Sequence, residues 1–147
     1  MQVAGKLKIS CIALVVLVTL AGKICWGEEK ETVAGRQEKD KLTVVRARTC
    51  EEMSNLQPVN QTVVFSASRD KAFCFAEIEG IVTTTHIYHN WIRRDKHVSG
   101  IKLVVKPPRW STVSSISLRE SDKGPWRVEI TDMNGDILKT LRFSVVD

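Results

Sequence analysis

The sequence predicts an all-β fold: an antiparallel, immunoglobulin-like β-sandwich of about seven or eight strands over residues 42–147. Three observations carry this. Apolar residues after residue 40 recur mostly with a period of two. Turn signals separate the runs at spacings of about 8–12 residues. No stretch sustains the 3.6-residue period of a long amphipathic helix. A small barrel shares these signals and is the alternative architecture.

The runs follow in order. Leu42 to Arg48 alternates, with Val45 and Ala47 on the face opposite Leu42 and Val44. Gln57-Pro58-Val59-Asn60 reads as a break. Thr62 to Ala67 is β-branched and aromatic, as strands prefer. Ser68 to Lys71 is a polar turn, and Ala72 to Glu79 is a strand ended by Gly80. Thr84 to Arg93 is next; it carries two of the three histidines and the single tyrosine. Ile101 to Val105 is a short strand stopped by Pro107-Pro108, and Arg109 to Leu118 resumes extended structure. Gly124-Pro125 turns the chain into the alternating Trp126 to Ile130. Asn134-Gly135 is the strongest hairpin signal. The last strand, Ile137 to Val146, puts Leu141, Phe143 and Val145 on one face.

Residues 1–27 read as a secretory signal peptide. Lys6 and Lys8 precede Cys11 to Gly22, an uncharged run of 12 residues. As a helix this run reaches about 18 Å, short of a hydrocarbon core of about 30 Å. Cys25-Trp26-Gly27 offers a cleavage site before Glu28-Glu29, with cleavage after Ala21 or Gly22 as the alternative. Lys23 and Ile24 separate Cys25 from the small residues Ala21 and Gly22, which argues against lipidation. Membrane association is expected only if the signal stays uncleaved or is lipidated. Residues 28–41 are too charged to bury a face and read as a flexible linker.

With 43% hydrophobic and 27% charged residues, the 147-residue chain has globular composition and the length of one common domain. Its formal charge of +5 suggests acidic partners at first sight. Removing residues 1–27 takes away three lysines and no acid, which leaves +2. That balance removes most of the electrostatic case for nucleic acid, and no nucleic-acid partner is expected. Cys50 and Cys74 remain after cleavage. An oxidising compartment favours a disulfide between them, closing a loop worth about 3 kcal/mol. Two buried free thiols are the alternative.

Cys50, Pro58, Cys74-Phe75, His89-x-Trp91, Arg109-Trp110-x-Thr112-x-Ser114-Ser115 and Gly124-x-Trp126-x-Val128 occur in an order that resembles the domain-of-unknown-function family 2914. Asp132-x-x-Gly135-x-x-Leu138 and Phe143-x-Val145 continue it. The resemblance covers roughly residues 43–146. It implies a bacterial, envelope-associated domain without an established biochemical role. Ser111, Val113 and Ile116 stand where the family tends to have a basic residue, an aromatic and a lysine. Leu56-Gln57 replaces an acidic pair. A basic recognition site formed by those positions in relatives would be lost here.

The chemistry-bearing residues are few. On a strand, His86 and His89 point to opposite faces, and no Cys-x-x-Cys or His-x-x-x-His spacing exists, so neither metal nor other cofactor is expected. Ser114-Ser115 lacks a glycine elbow, and Glu77 and Glu79 read as a solvated strand face. No catalytic residue is expected. His89 and Trp91 share a face, and with Arg109 and Trp110 they are the candidate binding or structural anchors. Arg93-Arg94 with Lys96 reads as a basic guard on a strand edge. The expectation is a periplasmic or secreted, non-enzymatic module that binds an envelope protein or glycan. A purely structural domain and a metal-dependent hydrolase using His86, His89 and nearby acids are the alternatives.

Overall fold

The computed structural model describes residues 41–147. The expected signal peptide and nearly all of the expected linker lie outside the described residues. Nine strands form among those described: β1 (Thr43–Ser54), β2 (Gln57–Gln61), β3 (Val64–Ser66), β4 (Lys71–Glu79), β5 (Thr85–Arg93), β6 (Lys96–Val105), β7 (Arg109–Ser117), β8 (Gly124–Thr131) and β9 (Ile137–Val146). A single turn of 3-10 helix, Glu120–Asp122, precedes β8. The strands make two sheets, ordered β2-β1-β4-β7 and β3-β9-β8-β5-β6. This is the immunoglobulin-like sandwich expected from the period-two pattern. Its first edge divides between the sheets: β1 and β2 stay in one, while β3 joins the other.

Several details differ from the sequence reading. There are nine strands rather than seven or eight. The additional one is β2, where Gln57 to Asn60 reads as a break. Pro58 is tolerated because β2 is an edge strand with one side free of ladder partners. The sandwich is also not wholly antiparallel, since β3 runs parallel to β9. Third, the alternation of β1 is interrupted by a bulge between Val44 and Arg46. The extra residue, Val45, is exposed, while Val44 packs against the core and Ala47 lies within it. Val45 and Ala47 therefore do not share a face.

Turn chemistry explains the connections. Asn55-Leu56 and Arg94-Asp95 are two-residue hairpin turns with both φ values positive. Between β8 and β9, the Asp132 carboxylate accepts hydrogen bonds from the backbone N–H groups of Asn134 and Asp136, both at 2.9 Å. Gly135 takes φ +91° in that loop. The Asn-Gly signal thus marks the right place, with a longer, carboxylate-capped loop in place of a two-residue turn. Gly80, at φ +76°, lets the end of β4 pass Lys41 so closely that a Cβ would sit 2.5 Å from the Lys41 carbonyl oxygen.

The core lies between the sheets. Ala72, Cys74, Ala76 and Ile78 of β4 face Ile87 and Trp91 of β5, Val128 and Ile130 of β8, and Phe143 and Val145 of β9. Phe143 is the aromatic hub. Its ring is 5.2 Å from Phe65 and 5.9 Å from Trp91 in edge-to-face arrangements, and 5.9 Å from Trp126 in a stack. Such pairs add about 0.5–1.5 kcal/mol each beyond area burial. We expect Phe143→Ala to destabilise the domain by about 3–5 kcal/mol in equilibrium denaturation. A loss below about 1 kcal/mol would mean that the hub is not where the aromatic packing converges.

Candidate functional site

Strand alternation decides where each candidate side chain goes. On β5, Ile87, His89 and Trp91 point inward, and His86 and Tyr88 point outward, their rings 5.4 Å apart edge to face. His86 and His89 thus lie on opposite faces, as the spacing requires. On β7, Thr112 pairs with Ala76 and Ser114 with Cys74, so both hydroxyls also point inward, from the other sheet. The two strands meet across the core.

The result is a polar bridge through an apolar interior. His89 Nδ1 lies 2.8 Å from Ser114 Oγ, and His89 Nε2 lies 3.4 Å from Thr112 Oγ1. Trp91 donates its indole N–H to Ser114 Oγ at 3.3 Å. Thr112 donates its hydroxyl to the Ala76 carbonyl at 3.2 Å. His89 is fully buried, and Thr112 and Ser114 nearly so.

Donor counting sets the protons. Thr112 spends its hydrogen on Ala76, so it accepts from His89, which places the imidazole proton on Nε2. Nδ1 then accepts from the Ser114 hydroxyl, whose oxygen accepts from Trp91. Every group is satisfied in this arrangement. The opposite tautomer would leave the Ser114 hydrogen without an acceptor. Burial pushes the His89 pKa down to about 4, so the ring is neutral near pH 7.

A serine bonded to a histidine has the outward form of an activated nucleophile. Here both groups are closed off between the sheets, and the hydroxyl carries a second bond from an indole. The arrangement orders the core.

Arg109 and Trp110 lie on the same strand but outside this bridge. Arg109 is on the outer face, its guanidinium 2.8 Å from Glu77 and 2.7 Å from Glu79. These carboxylates, through hydrogen bonding first, hold the guanidinium firmly in its charged form. Trp110 lies opposite Ile78 near the start of β7 and is 39% exposed, against 0% for Trp91 and 4% for Trp126. The Lys106 ammonium stands 5.4 Å from the centre of its ring. The four anchors therefore split, with His89 and Trp91 inside and Arg109 and Trp110 at the exposed corner where β7 begins, on opposite faces of its sheet. Thr112 and Ser114 are the bridge residues that the sequence reading did not assign. Their spacing of two puts both on one face of β7, a signal that becomes readable once β7 is known to face β5.

The expected disulfide is absent. Cys50 and Cys74 are both free and buried. The register gives the reason: Cys74 lies opposite Thr49, and Cys50 lies opposite Phe73, so the neighbouring thiols project to opposite faces of one sheet. Cys74 belongs to the core, and Cys50 lies 3.6 Å from the Met53 sulfur. In antibody domains the bridge crosses between the sheets instead. Burial pushes both thiols up, which keeps them protonated and unreactive. Among the described residues, no group of three or more His, Cys, Asp or Glu side chains is arranged to hold a metal ion.

Comparison with known proteins adds the following. Residues 84–145 match the model of the DUF2914 family, a protein of unknown function. The matched range runs from β5 into β9 and contains both halves of the bridge and the Arg109–Trp110 corner, while Cys50 and Cys74 precede it. No curated protein matches the chain. Among solved structures, the chain is similar to a beta-D-glucoside glucohydrolase from Trichoderma reesei, with TM-score 0.39 and 14% identity over 73% of this chain and 19% of that one. It is also similar to a GH3 beta-glucosidase from Bifidobacterium adolescentis, with TM-score 0.39 and 13% identity over 71% and 17%. The chain spans less than a fifth of the length of either enzyme.

Two outcomes follow for the bridge and the thiols. Ser114→Ala removes the partner of both His89 Nδ1 and the Trp91 N–H, and is expected to cost about 2–4 kcal/mol. Ser115→Ala, on the outer face opposite Phe73, is expected to stay within about 0.5 kcal/mol by the same denaturation measurement. Alkylation without reductant is expected to label both Cys50 and Cys74 in the denatured chain and neither in the folded one, read by intact mass. An unlabelled denatured chain, lighter by two hydrogens, would restore the disulfide.

Proposed function

We propose that residues 42–147 are a non-enzymatic interaction module of an exported envelope protein, and that it recognises a protein or glycan at the Arg109–Trp110 corner. The observation that supports this reading is the division of the candidate residues. Trp110 is the exposed member of the three tryptophans in the domain, with the Lys106 ammonium 5.4 Å from its ring centre, while Arg109 with Glu77 and Glu79 occupies the opposite face of the same strand end. An exposed aromatic face with an ammonium beside it suits stacking against a sugar ring or a peptide side chain. Export rests on the apolar run and cleavage signal in residues 1–27. Opposite orientation of His86 and His89 speaks against a metal-dependent hydrolase built on them, and the enclosed Ser114–His89 pair speaks against a nucleophilic one.

The purely structural reading has its own support. Arg109 is already held by Glu77 and Glu79, and one neighbour of the Trp110 ring is Lys106. A corner whose groups satisfy one another needs no ligand.

Titration with envelope oligosaccharides and peptides, followed by tryptophan fluorescence, separates the two. The interaction reading expects a ligand that perturbs the emission, with Trp110→Ala weakening its binding at least tenfold while leaving the melting temperature within a few degrees. Binding unaffected by Trp110→Ala would remove the corner from the account.

A further inference from the structure

We infer that the His89 bridge is an acid-sensitive latch between the two sheets, which opens β5 from β7 when the imidazole takes up a second proton. The inference is independent of the exposed corner. It rests on the directionality of the hydrogen bonds. In the neutral ring, Nδ1 is the acceptor for Ser114, and Nε2–H is the donor to Thr112. A second proton turns Nδ1 into a donor. It can then bond the second lone pair of the oxygen that receives the Trp91 N–H, but the Ser114 hydrogen loses its acceptor. Rotating the ring by 180° brings no relief, because Thr112 has committed its own hydrogen to Ala76. The cation therefore leaves the bridge with one buried hydroxyl unmatched and a buried charge to carry.

Among the described residues, nothing around the ring offsets the charge. His89 is opposed by Ile101 on β6 and Ile130 on β8. Across the core stand Thr112 and Ser114 on β7 and Ala76 and Cys74 on β4. Ala47 on β1 and Phe143 and Val145 on β9 complete the packing. Among the described residues the buried polar side chains are Thr49, His89, Thr112, Ser114 and Thr131, none of them a carboxylate. Cys74 is the other titratable group in this interior, and burial pushes its thiol up, so it stays neutral throughout the acid range. Arg93 lies further along β5 and is already paired with Asp122 at 2.6 Å.

The direction and window follow from the two states of the histidine. Its ordinary pKa is 6.5, and burial lowers it to about 4 in the fold. Above pH 6.5 the ring is neutral whether the chain is folded or not, and it does not alter stability. As pH falls below 6.5, the unfolded chain takes up a proton that the folded chain resists, so stability drops until about pH 4, where the loss levels off. Between pH 7 and pH 4.5 this linkage lowers the folding equilibrium constant on the order of 50-fold.

The test compares the full wild-type chain with His89→Gln by chemical denaturation from pH 7 to pH 4.5. The folding equilibrium constant of the wild type is expected to fall on the order of 50-fold more than that of the variant over this range. Parallel profiles, differing by less than about fivefold, would overturn the latch. Hydrogen exchange of the wild type, corrected for intrinsic rates, tests the same claim without relying on the variant to fold. Amides of β5 and β7 are expected to lose protection first on acidification, ahead of β8 and β9. Uniform loss over both sheets would overturn the inference.

Discussion

The contact between His89 and Ser114 is the constraint on which the rest of the domain turns. A sandwich of this size could be closed by apolar side chains alone. Here one imidazole, two hydroxyls and an indole N–H are enclosed between the sheets, and each is tolerable only while all are paired. A buried donor or acceptor left unmatched costs about 1–3 kcal/mol. The bridge therefore fixes the relative position of β5 and β7 in a way that apolar packing does not. A one-residue slip of either strand would turn its polar pair outward and leave the other unpaired.

This constraint reaches the surrounding aromatics. Trp91 serves the bridge through its N–H and the core through its ring, which meets Phe143 edge to face. Phe143 in turn packs on Trp126 and Phe65. Trp126 is held at its other side by the Asp122 carbonyl at 2.7 Å, and the Arg93 guanidinium lies 5.7 Å from its ring centre. A chain of contacts thus runs from the polar centre to the end of the sandwich where β8 begins. On the outer face of the other sheet, Phe75 is almost fully covered, with the Arg46 guanidinium 5.3 Å from its ring centre. That face has its own shielded apolar layer beneath long charged side chains.

Most of the architecture was legible because strand periodicity is a direct consequence of burial on one face. The positions of β4, β5, β7, β8 and β9 follow from it, as does the opposition of His86 and His89. What escaped were features set by backbone conformation. Arg94-Asp95 turns through two positive φ angles without the glycine or asparagine that usually marks such a turn, so the early start of β6 at Lys96 left little trace in its sequence. β2 was hidden by Pro58, whose usual meaning as a breaker lapses on an edge strand. The bulge at Val45 reverses one residue's facing without changing the local pattern of apolar residues. The cysteines show the same limit. Their compartment and number argued for a bridge, and only the register reveals that they sit on opposite faces of one sheet. At the site, His89 and Trp91 were legible as a one-face pair. Thr112 and Ser114 carry no signature of their own until β7 is known to face β5.

The account depends most on the neutral, Nε2-protonated state of His89. Nitrogen-15 NMR of the imidazole at neutral pH reads this directly. The predicted spectrum has a protonated Nε2 in slow exchange with solvent and an unprotonated Nδ1 shifted by the bond from Ser114. A proton on Nδ1, or an imidazolium in rapid exchange with water, would contradict the bridge and the order of bonds built upon it.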